Sequence, residues 1–353
     1  MNTDMNGYRS QFLLIFLTLL GVATATQAAP EGALHTGMVA PGHQDKPAWF
    51  KNSFLEIRED VQEAADAGRR VMLYFYQDGC PYCKKLLEDN FGQAEISRLT
   101  QRYFEVIAIN IWGDREVVDF QGRDTTEKAF SVGLKVMFTP TLLLLNERGE
   151  VVLRINGYFP PHRFRAALEY VGTHQESNGG FREFLARQAP EPASGRLHRE
   201  PGYLQPPYRL ADHSRGSGKP LLVLFEQRQC AGCDELHRDI LRRPESRALL
   251  GAFDVVLLDM WSKEPVQTPD GRELSAVQWA RELNILYAPS QVFFDTEGRE
   301  VFRSEAYLKA FHTQSVMDYV ASGAYRSQPQ FQRYIEARAD ALRAKGIDVD
   351  LME

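Results

Sequence analysis

The sequence predicts an α/β chain made of two tandem copies of one domain. Three observations lead there: an internal repeat, a recurring switch between strand and helix periods, and two Cys-x-x-Cys motifs at matching places in the repeat. Val71-Met-Leu-Tyr-Phe-Tyr-Gln-Asp-Gly-Cys80 matches Leu221-Leu-Val-Leu-Phe-Glu-Gln-Arg-Gln-Cys230 at an offset of 150, and Leu86 matches Leu236. After one net deletion the offset becomes 149: Asn110-Ile111-Trp112 faces Asp259-Met260-Trp261, Thr139-Pro140 faces Ala288-Pro289, and Tyr158 faces Tyr307. Near the end it returns to 150, with Phe181 and Phe184 opposite Phe331 and Tyr334, so each copy includes a closing helix.

In the first copy, Ser53-Phe-Leu-Glu56 has the spacing of a capping box. A leading helix follows with Leu55, Val61 and Ala65 on one face and Gly68 as its stop. Val71–Tyr76 is a continuous apolar run suited to a buried strand, the cysteine-bearing helix comes next, and Phe104–Ile109 reads as the second strand. A helix around Thr125–Val132 leads to Pro140. Strands at Leu142–Leu145 and Val151–Ile155 flank the turn Glu147-Arg-Gly149, and a helix near His162–Val171 completes the order β-α-β-α-β-β-α. The second copy carries Asp212-His-Ser-Arg-Gly-Ser-Gly218 at the place of the leading helix, which is expected to be shortened or lost there.

The chain opens with Arg9, an apolar run from Phe12 to Val22 and small residues from Ala23 to Ala29, which reads as a secretory signal peptide over residues 1–28. The run falls short of the roughly 20 apolar residues that span a bilayer. Residues 29–188 then form the first domain and 207–353 the second. The breaker-rich stretch from Ala189, with Pro190, Pro192 and Gly195, makes 189–206 a linker or surface-hugging connection. The expected location is outside the cytoplasm, in a bacterium the periplasm. A net charge of −6 gives no footprint for nucleic acid or an anionic membrane surface.

All four cysteines lie in the two motifs, Cys80-Pro-Tyr-Cys83 and Cys230-Ala-Gly-Cys233. A cysteine at the first turn of a helix meets unpaired N–H groups and the positive end of the helix dipole, which favour its thiolate. A second cysteine one turn on can resolve a mixed disulfide formed by the first. Cys80 and Cys230 are therefore the candidate nucleophiles, with Cys83 and Cys233 as resolving thiols. A four-residue ring constrains little of the unfolded chain, so these are poor structural staples. A zinc site shared by pairs in different copies lacks the usual spacing. His237 follows Cys233 by four residues, and a Cys-x-x-Cys-x-x-x-His metal site is conceivable, although a partly exposed side chain opposite Leu87 is the plainer expectation. No cofactor is expected.

Gln77-Asp-Gly-Cys-Pro-Tyr-Cys-Lys-Lys-Leu86, with Thr139-Pro140-Thr141 and Gly157-Tyr158, resembles the exported thioredoxin-like proteins of the SoxW type, and the second copy keeps the same frame. The resemblance implies two tandem thioredoxin-like domains, each a central mixed β-sheet flanked by helices. It also implies that Thr139 and a cis Pro140 pair with the backbone of a bound cysteine-containing peptide, with Ala288 and Pro289 in the same roles in copy two. The implied partners are disulfide-containing exported proteins and a membrane thiol-electron transporter, with protein-disulfide reduction as the activity.

Two departures matter. Tyr74 and Leu224 stand where thioredoxin has a buried aspartate, so proton transfer must use water or another group. Lys84 and Lys85 follow Cys83, whereas Asp234 and Glu235 follow Cys233, which makes Cys80 the expected more acidic thiol. Cys-Pro-Tyr-Cys also occurs in glutaredoxins, so glutathione-linked chemistry is an alternative. The direction of exchange, a peptide-binding or chaperone-like module, and metal handling by Cys230, Cys233 and His237 also stay open at this point.

Overall fold

Strand β1 (Arg70–Tyr76) is buried along all but its last residue, and its alternate side chains feed two different cores. Met72 and Tyr74 face one layer of helices, while Val71, Leu73 and Phe75 face the other. A strand clothed on both faces reads in sequence as an unbroken apolar run. The computed structural model describes residues 42–188 and 193–351, apart from the side chains of 213–215. The signal-peptide reading and part of the breaker-rich stretch lie outside these residues.

The first copy contains α1 (Ile57–Asp66), β1, α2 (Pro81–Lys85), α3 (Ala94–Tyr103), β2 (Phe104–Asn110) and a small hairpin of β3 (Glu116–Val118) and β4 (Asp124–Thr126). It continues with α4 (Glu127–Gly133), β5 (Thr141–Leu145), β6 (Val151–Asn156), α5 (Pro161–Gly172) and α6 (Phe181–Ala186). The main sheet runs β2-β1-β5-β6, with β1 parallel to β2 and the other pairs antiparallel. α1 and α4 cover one face, and α2, α3, α5 and α6 the other.

The second copy opens with β7 (Tyr208–Arg209) and a short α7 (Leu210–Gly216), then β8 (Leu221–Glu226), α8 (Ala231–Arg238), α9 (Pro244–Leu250) and β9 (Asp254–Asp259). After the strands β10 (Pro265–Gln267) and β11 (Glu273–Ser275) come α10 (Ala276–Glu282), β12 (Ser290–Phe294), β13 (Glu300–Ser304), α11 (Ala310–Ala321) and α12 (Phe331–Arg343). Its sheet, β9-β8-β12-β13, repeats the first. The leading helix is thus shortened rather than lost. Among the described residues no helix is long and apolar enough to cross a membrane.

Three local features depart from the sequence reading. The Ser53–Glu56 capping box does not form: Ser53 Oγ accepts from Leu55 N and donates to Asp60, and the helix begins at Ile57 without a side-chain cap. Leu55 is held at φ 67° and buried, and its carbonyl accepts from Val118 N, so contact with β3 keeps this segment out of the helix. The cysteine-bearing helix of copy one breaks at Lys85 into a π-helical turn, Leu86–Phe91. α3, which follows, has only Ile96 and Thr100 fully buried, too sparse a stripe to show as a period.

The copies pack face to face about an approximate two-fold axis. Asn156 Nδ2 donates to Glu305 Oε2 at 3.1 Å, the rings of Tyr158 and Tyr307 lie 6.1 Å apart, and Gly157 abuts Ala306. Each of these residues meets its own repeat equivalent, the signature of a self-complementary interface. Around the axis Phe159 stacks on Tyr287 at 5.0 Å, and Phe138 packs near Phe302 at 6.1 Å.

Gly157 sits at φ 94°, and a methyl group there would overlap Cβ of Ala306. We expect Gly157→Ala to lose about 1–3 kcal/mol through backbone strain and overpacking. Urea unfolding would check this, and a wild-type midpoint would refute the close approach.

Candidate functional site: two helix-capping dithiols

The loop Gln77–Gly79 carries the chain from β1 to the first turn of α2. Gly79, at φ 78°, donates its N–H to the carbonyl of Gly42 at 3.0 Å. Cys80 is the N-cap of α2, Pro81 fills the first helical position, and Cys83 N donates to Cys80 Sγ at 3.1 Å. That N–H is one of the unpaired donors at a helix start, and it is aimed at the Cys80 sulfur. Cys230 caps α8 in the same way, with Cys233 N 3.0 Å from its Sγ. Both pairs are disulfide-bonded with Cα atoms 5.2 Å apart, and all four cysteines are buried.

Both Thr139–Pro140 and Ala288–Pro289 are cis peptides. Thr139 O lies 3.4 Å from Cys80 Sγ, so the loop before β5 faces the dithiol. In copy two a Cβ on Gly232 would come 3.1 Å from Pro289 Cδ, a tight contact that places the proline loop against this motif. The indole N–H of Trp112 donates to Gln77 at 2.7 Å, and that of Trp261 to Gln227 at 2.9 Å. The matched tryptophans therefore brace the loops that present the first cysteines.

Each site is walled by the other copy. Tyr82, between the first two cysteines, is 3% exposed; its hydroxyl accepts from Lys309 N at 2.8 Å, and its ring meets the edge of His312 at 4.8 Å. A cavity of about 300 Å³ beside Cys80 and Thr139 is closed by Phe138 from copy one and by Leu308, His312 and Phe331 from copy two. Reciprocally, Arg163 Nη1 donates to the Ala288 carbonyl at 3.1 Å, and the Arg182 guanidinium lies 4.4 Å from the Trp261 ring centre. Thus the backbone position expected to receive a peptide in copy two is occupied by a side chain of copy one.

The charges beside the motifs are paired. Lys84 lies 3.7 Å from Glu88, Lys85 2.5 Å from Asp89, and Glu235 2.6 Å from Lys309. Asp234 accepts from Ser194 N at 2.7 Å and sits 2.5 Å from His198 Nε2. Burial alone would raise its carboxyl, but Ser194 and His198 outweigh that and hold it down at about 2. The charge inversion read from sequence is real in composition, but its lysines and acids each face a countercharge.

His237 is not partly exposed as expected. It is 2% exposed, its Nε2 lies 2.6 Å from Glu226 Oε1, and its ring stacks on His198 at 4.9 Å. Glu226 ends an otherwise apolar strand where copy one has Tyr76, and that mismatch was the available signal for a buried polar cluster. Among the described residues no group of three or more His, Cys, Asp or Glu is arranged to hold a metal ion.

Two helix-capping Cys-x-x-Cys pairs, each opposite a proline loop on a mixed sheet, define a redox protein of the thiol–disulfide class. A family model described as a thioredoxin-like domain matches residues 57–172 and again 208–321, and the chain belongs to that family. No curated protein matches the chain. Among solved structures it is similar to a thioredoxin-fold protein from Helicobacter pylori, with 23% identity over 35% of this chain and 80% of that one (TM-score 0.30). It is also similar to a thioredoxin from Thermus thermophilus, at 27% identity over 32% and 81% of the two chains (TM-score 0.27). The oxidised C-terminal domain of DsbD from Neisseria meningitidis matches at 18% identity over 33% and 89% (TM-score 0.25).

Burial pushes the His312 imidazolium down to about 4, against a backbone hydrogen bond with Leu351 that raises it. A folded value below the ordinary 6.5 means that the folded state resists the proton. Its contribution is complete above about pH 6.5 and is lost as pH falls through 4, by up to about 3 kcal/mol. Urea unfolding at pH 7.5 and 4.5 should show a smaller acid loss in His312→Phe than in wild type. Equal losses in the two proteins would refute the assignment.

Proposed function

We propose that this chain is an exported, in a bacterium periplasmic, thiol–disulfide oxidoreductase that reduces disulfides in exported partner proteins through Cys80 and Cys83. The observation that carries this reading is Cys80 Sγ capping α2, with the Cys83 N–H aimed at it and the Thr139 carbonyl and a cavity beside it. The Cys80 thiolate attacks one sulfur of the partner's disulfide, breaks that bond and releases one partner thiolate, which takes a proton. Cys83 then loses its proton and attacks Cys80 Sγ. The Cys80–Cys83 disulfide forms, and the second partner sulfur leaves as a thiol. Two electrons pass to the partner, and a dithiol reductant must return them.

Cys230 and Cys233 serve as a second or relay dithiol in this reading, with a membrane thiol-electron transporter as the supplying partner. The division of labour is supported by the different state of the two proline loops. Thr139 lines a cavity beside Cys80, whereas the Ala288 carbonyl is bonded to Arg163. Thr139 and Pro140 would receive the substrate segment, and Ala288 and Pro289 would do so only after Arg163 moves.

Insulin reduction driven by a small dithiol tests the assignment without requiring a relay. Cys80→Ser should lower turnover by at least about 10²-fold, since it removes the attacking nucleophile. Cys230→Ser should retain the larger share of activity. No insulin reduction above the small-dithiol background by the unaltered chain, with peptide binding intact, would replace this reading with a peptide-binding module.

A further inference from the structure

We propose that Glu226 and His237 form the proton-accepting pair for Cys233, the resolving thiol of the second dithiol; this rests on the oxidoreductase reading above. Strand β8 has Leu224 where thioredoxin carries its buried aspartate. Glu226, two residues on, points to the same face of the strand. It is wholly buried at the strand's end, four residues before Cys230. His237 stands four residues after Cys233 on α8, which stacks the two side chains on one helix face with Cβ atoms roughly 5–6 Å apart.

The hydrogen bond fixes the tautomer that chemistry needs. His237 Nε2 lies 2.6 Å from Glu226 Oε1, and in the neutral tautomer that donates from Nε2 the lone pair sits on Nδ1. Among the described residues that Nδ1 has no partner, and neither does Glu226 Oε2, although both atoms are buried. A purely structural pair would leave two orphaned polar atoms in the interior, at a cost of about 1–3 kcal/mol each. The domain frame does not demand the pair either, since copy one ends the matching strand with Tyr76 and places Leu87, within its π-helical turn, at the position of His237. Orphaned buried groups behind a reactive dithiol are accounted for when one of them receives a proton during turnover.

Polar groups from the neighbouring elements surround the pair, beginning with Asp259 of β9, which stands in register with Glu226. His198 stacks on the His237 ring with an interplanar angle of 14° and bonds to Asp234, the residue after Cys233. Arg238 lies 3.9 Å from Asp234, and the Tyr203 ring centre lies 6.2 Å from that of His237. In the disulfide form His237 Nδ1 has no hydrogen-bond partner among the described residues, Cys233 Sγ included; in the resolving step it takes the Cys233 proton through one intervening water while Glu226 balances the imidazolium. The Cys233 thiolate attacks Cys230 Sγ in the mixed disulfide, the bond from Cys230 to the partner sulfur breaks, and the Cys230–Cys233 bond forms. The departing partner thiolate takes the proton from the imidazolium, so the dithiol has given two electrons and two protons to the partner's disulfide.

The test uses the full chain carrying Cys80→Ser and Cys83→Ser, so that only the second dithiol reacts. The reduced protein is mixed rapidly with dithiodipyridine, which releases one absorbing thiopyridone on attack by Cys230 and another on resolution by Cys233. His237→Leu should slow the second release roughly 10²-fold at pH 7 and restore it as pH rises, with the first release changed less than about twofold. Glu226→Gln, nearly the same shape, should slow the second release by an intermediate factor and shift its pH profile in the same direction. A second release that is unchanged in both variants, or slowed with an unshifted pH profile, overturns the proposal. Absence of the first release in the parent chain would instead overturn the oxidoreductase reading of this dithiol. If His237→Leu does not fold, the Glu226→Gln profile alone decides.

Discussion

The self-complementary contact between the two copies is the constraint from which the rest of the molecule follows. Asn156, Gly157 and Tyr158 meet Glu305, Ala306 and Tyr307, so the strands closing each sheet and the loops after them face one another. In a symmetric dimer this would be an isologous interface, and here it lies within one chain. Because the axis passes beside both proline loops, whatever projects from one copy near the axis meets the dithiol face of the other. Lys309 and His312 reach Tyr82, and Arg163 reaches Ala288. Neither site is therefore a free domain surface, and residues far away in sequence help to set what each dithiol can meet.

The two copies use that symmetry differently. Cys80-Pro-Tyr-Cys83 inserts a tyrosine into the contact, and its buried hydroxyl is answered by a backbone N–H from the opposite copy. Cys230-Ala-Gly-Cys233 has no side chain at the matching position, Gly232, and Pro289 closes in on it. On its copy-two side the cavity beside Cys80 is walled by apolar side chains such as Phe331 and Ile335 together with polar ones such as His312 and Glu336, whereas Arg163 and Arg182 of copy one reach the loops around Cys230. Duplication conserved the frame, and divergence at the contact made the sites unequal.

Legibility in the sequence tracked the range of the interaction involved. The buried strands could be read because an apolar run or an alternation is a property of neighbouring residues, and the two motifs because helix capping acts within one turn. The equivalence of Trp112 and Trp261 was visible, and its reason, a hydrogen bond to Gln77 or Gln227 some 35 or 34 residues earlier, was not. Ser53 had the spacing of a capping residue, but a contact between Leu55 and Val118 took the segment into another conformation. The three-residue hairpin strands were too short for any period, and α3 too sparsely buried. His237 failed for the same reason as Ser53: its partners, Glu226 and His198, are set by folding rather than by spacing.

The charges that follow the two motifs are paired in the folded chain. Lysines after one motif and acids after the other suggest opposite fields at the two helix-capping cysteines, yet Lys85 faces Asp89 and Glu235 faces Lys309. A paired exposed charge acts on a third group mainly as a dipole, and solvent screens it further. What acts on each sulfur at short range is common to both copies: a helix start, a donor N–H one turn on, and a proline loop opposite. Differences between the dithiols must then arise from groups that solvent does not screen. In copy two the described candidates are Glu226, His237, His198 and Asp234, buried together behind the motif. In copy one the corresponding ground is hydrophobic, with Tyr74 and Leu86 in the core and Tyr76 beneath the ammonium of Lys46. A buried polar network thus lies behind one helix cap and mostly aromatic and aliphatic side chains behind the other, a contrast in surroundings that the paired charges beside the motifs do not provide.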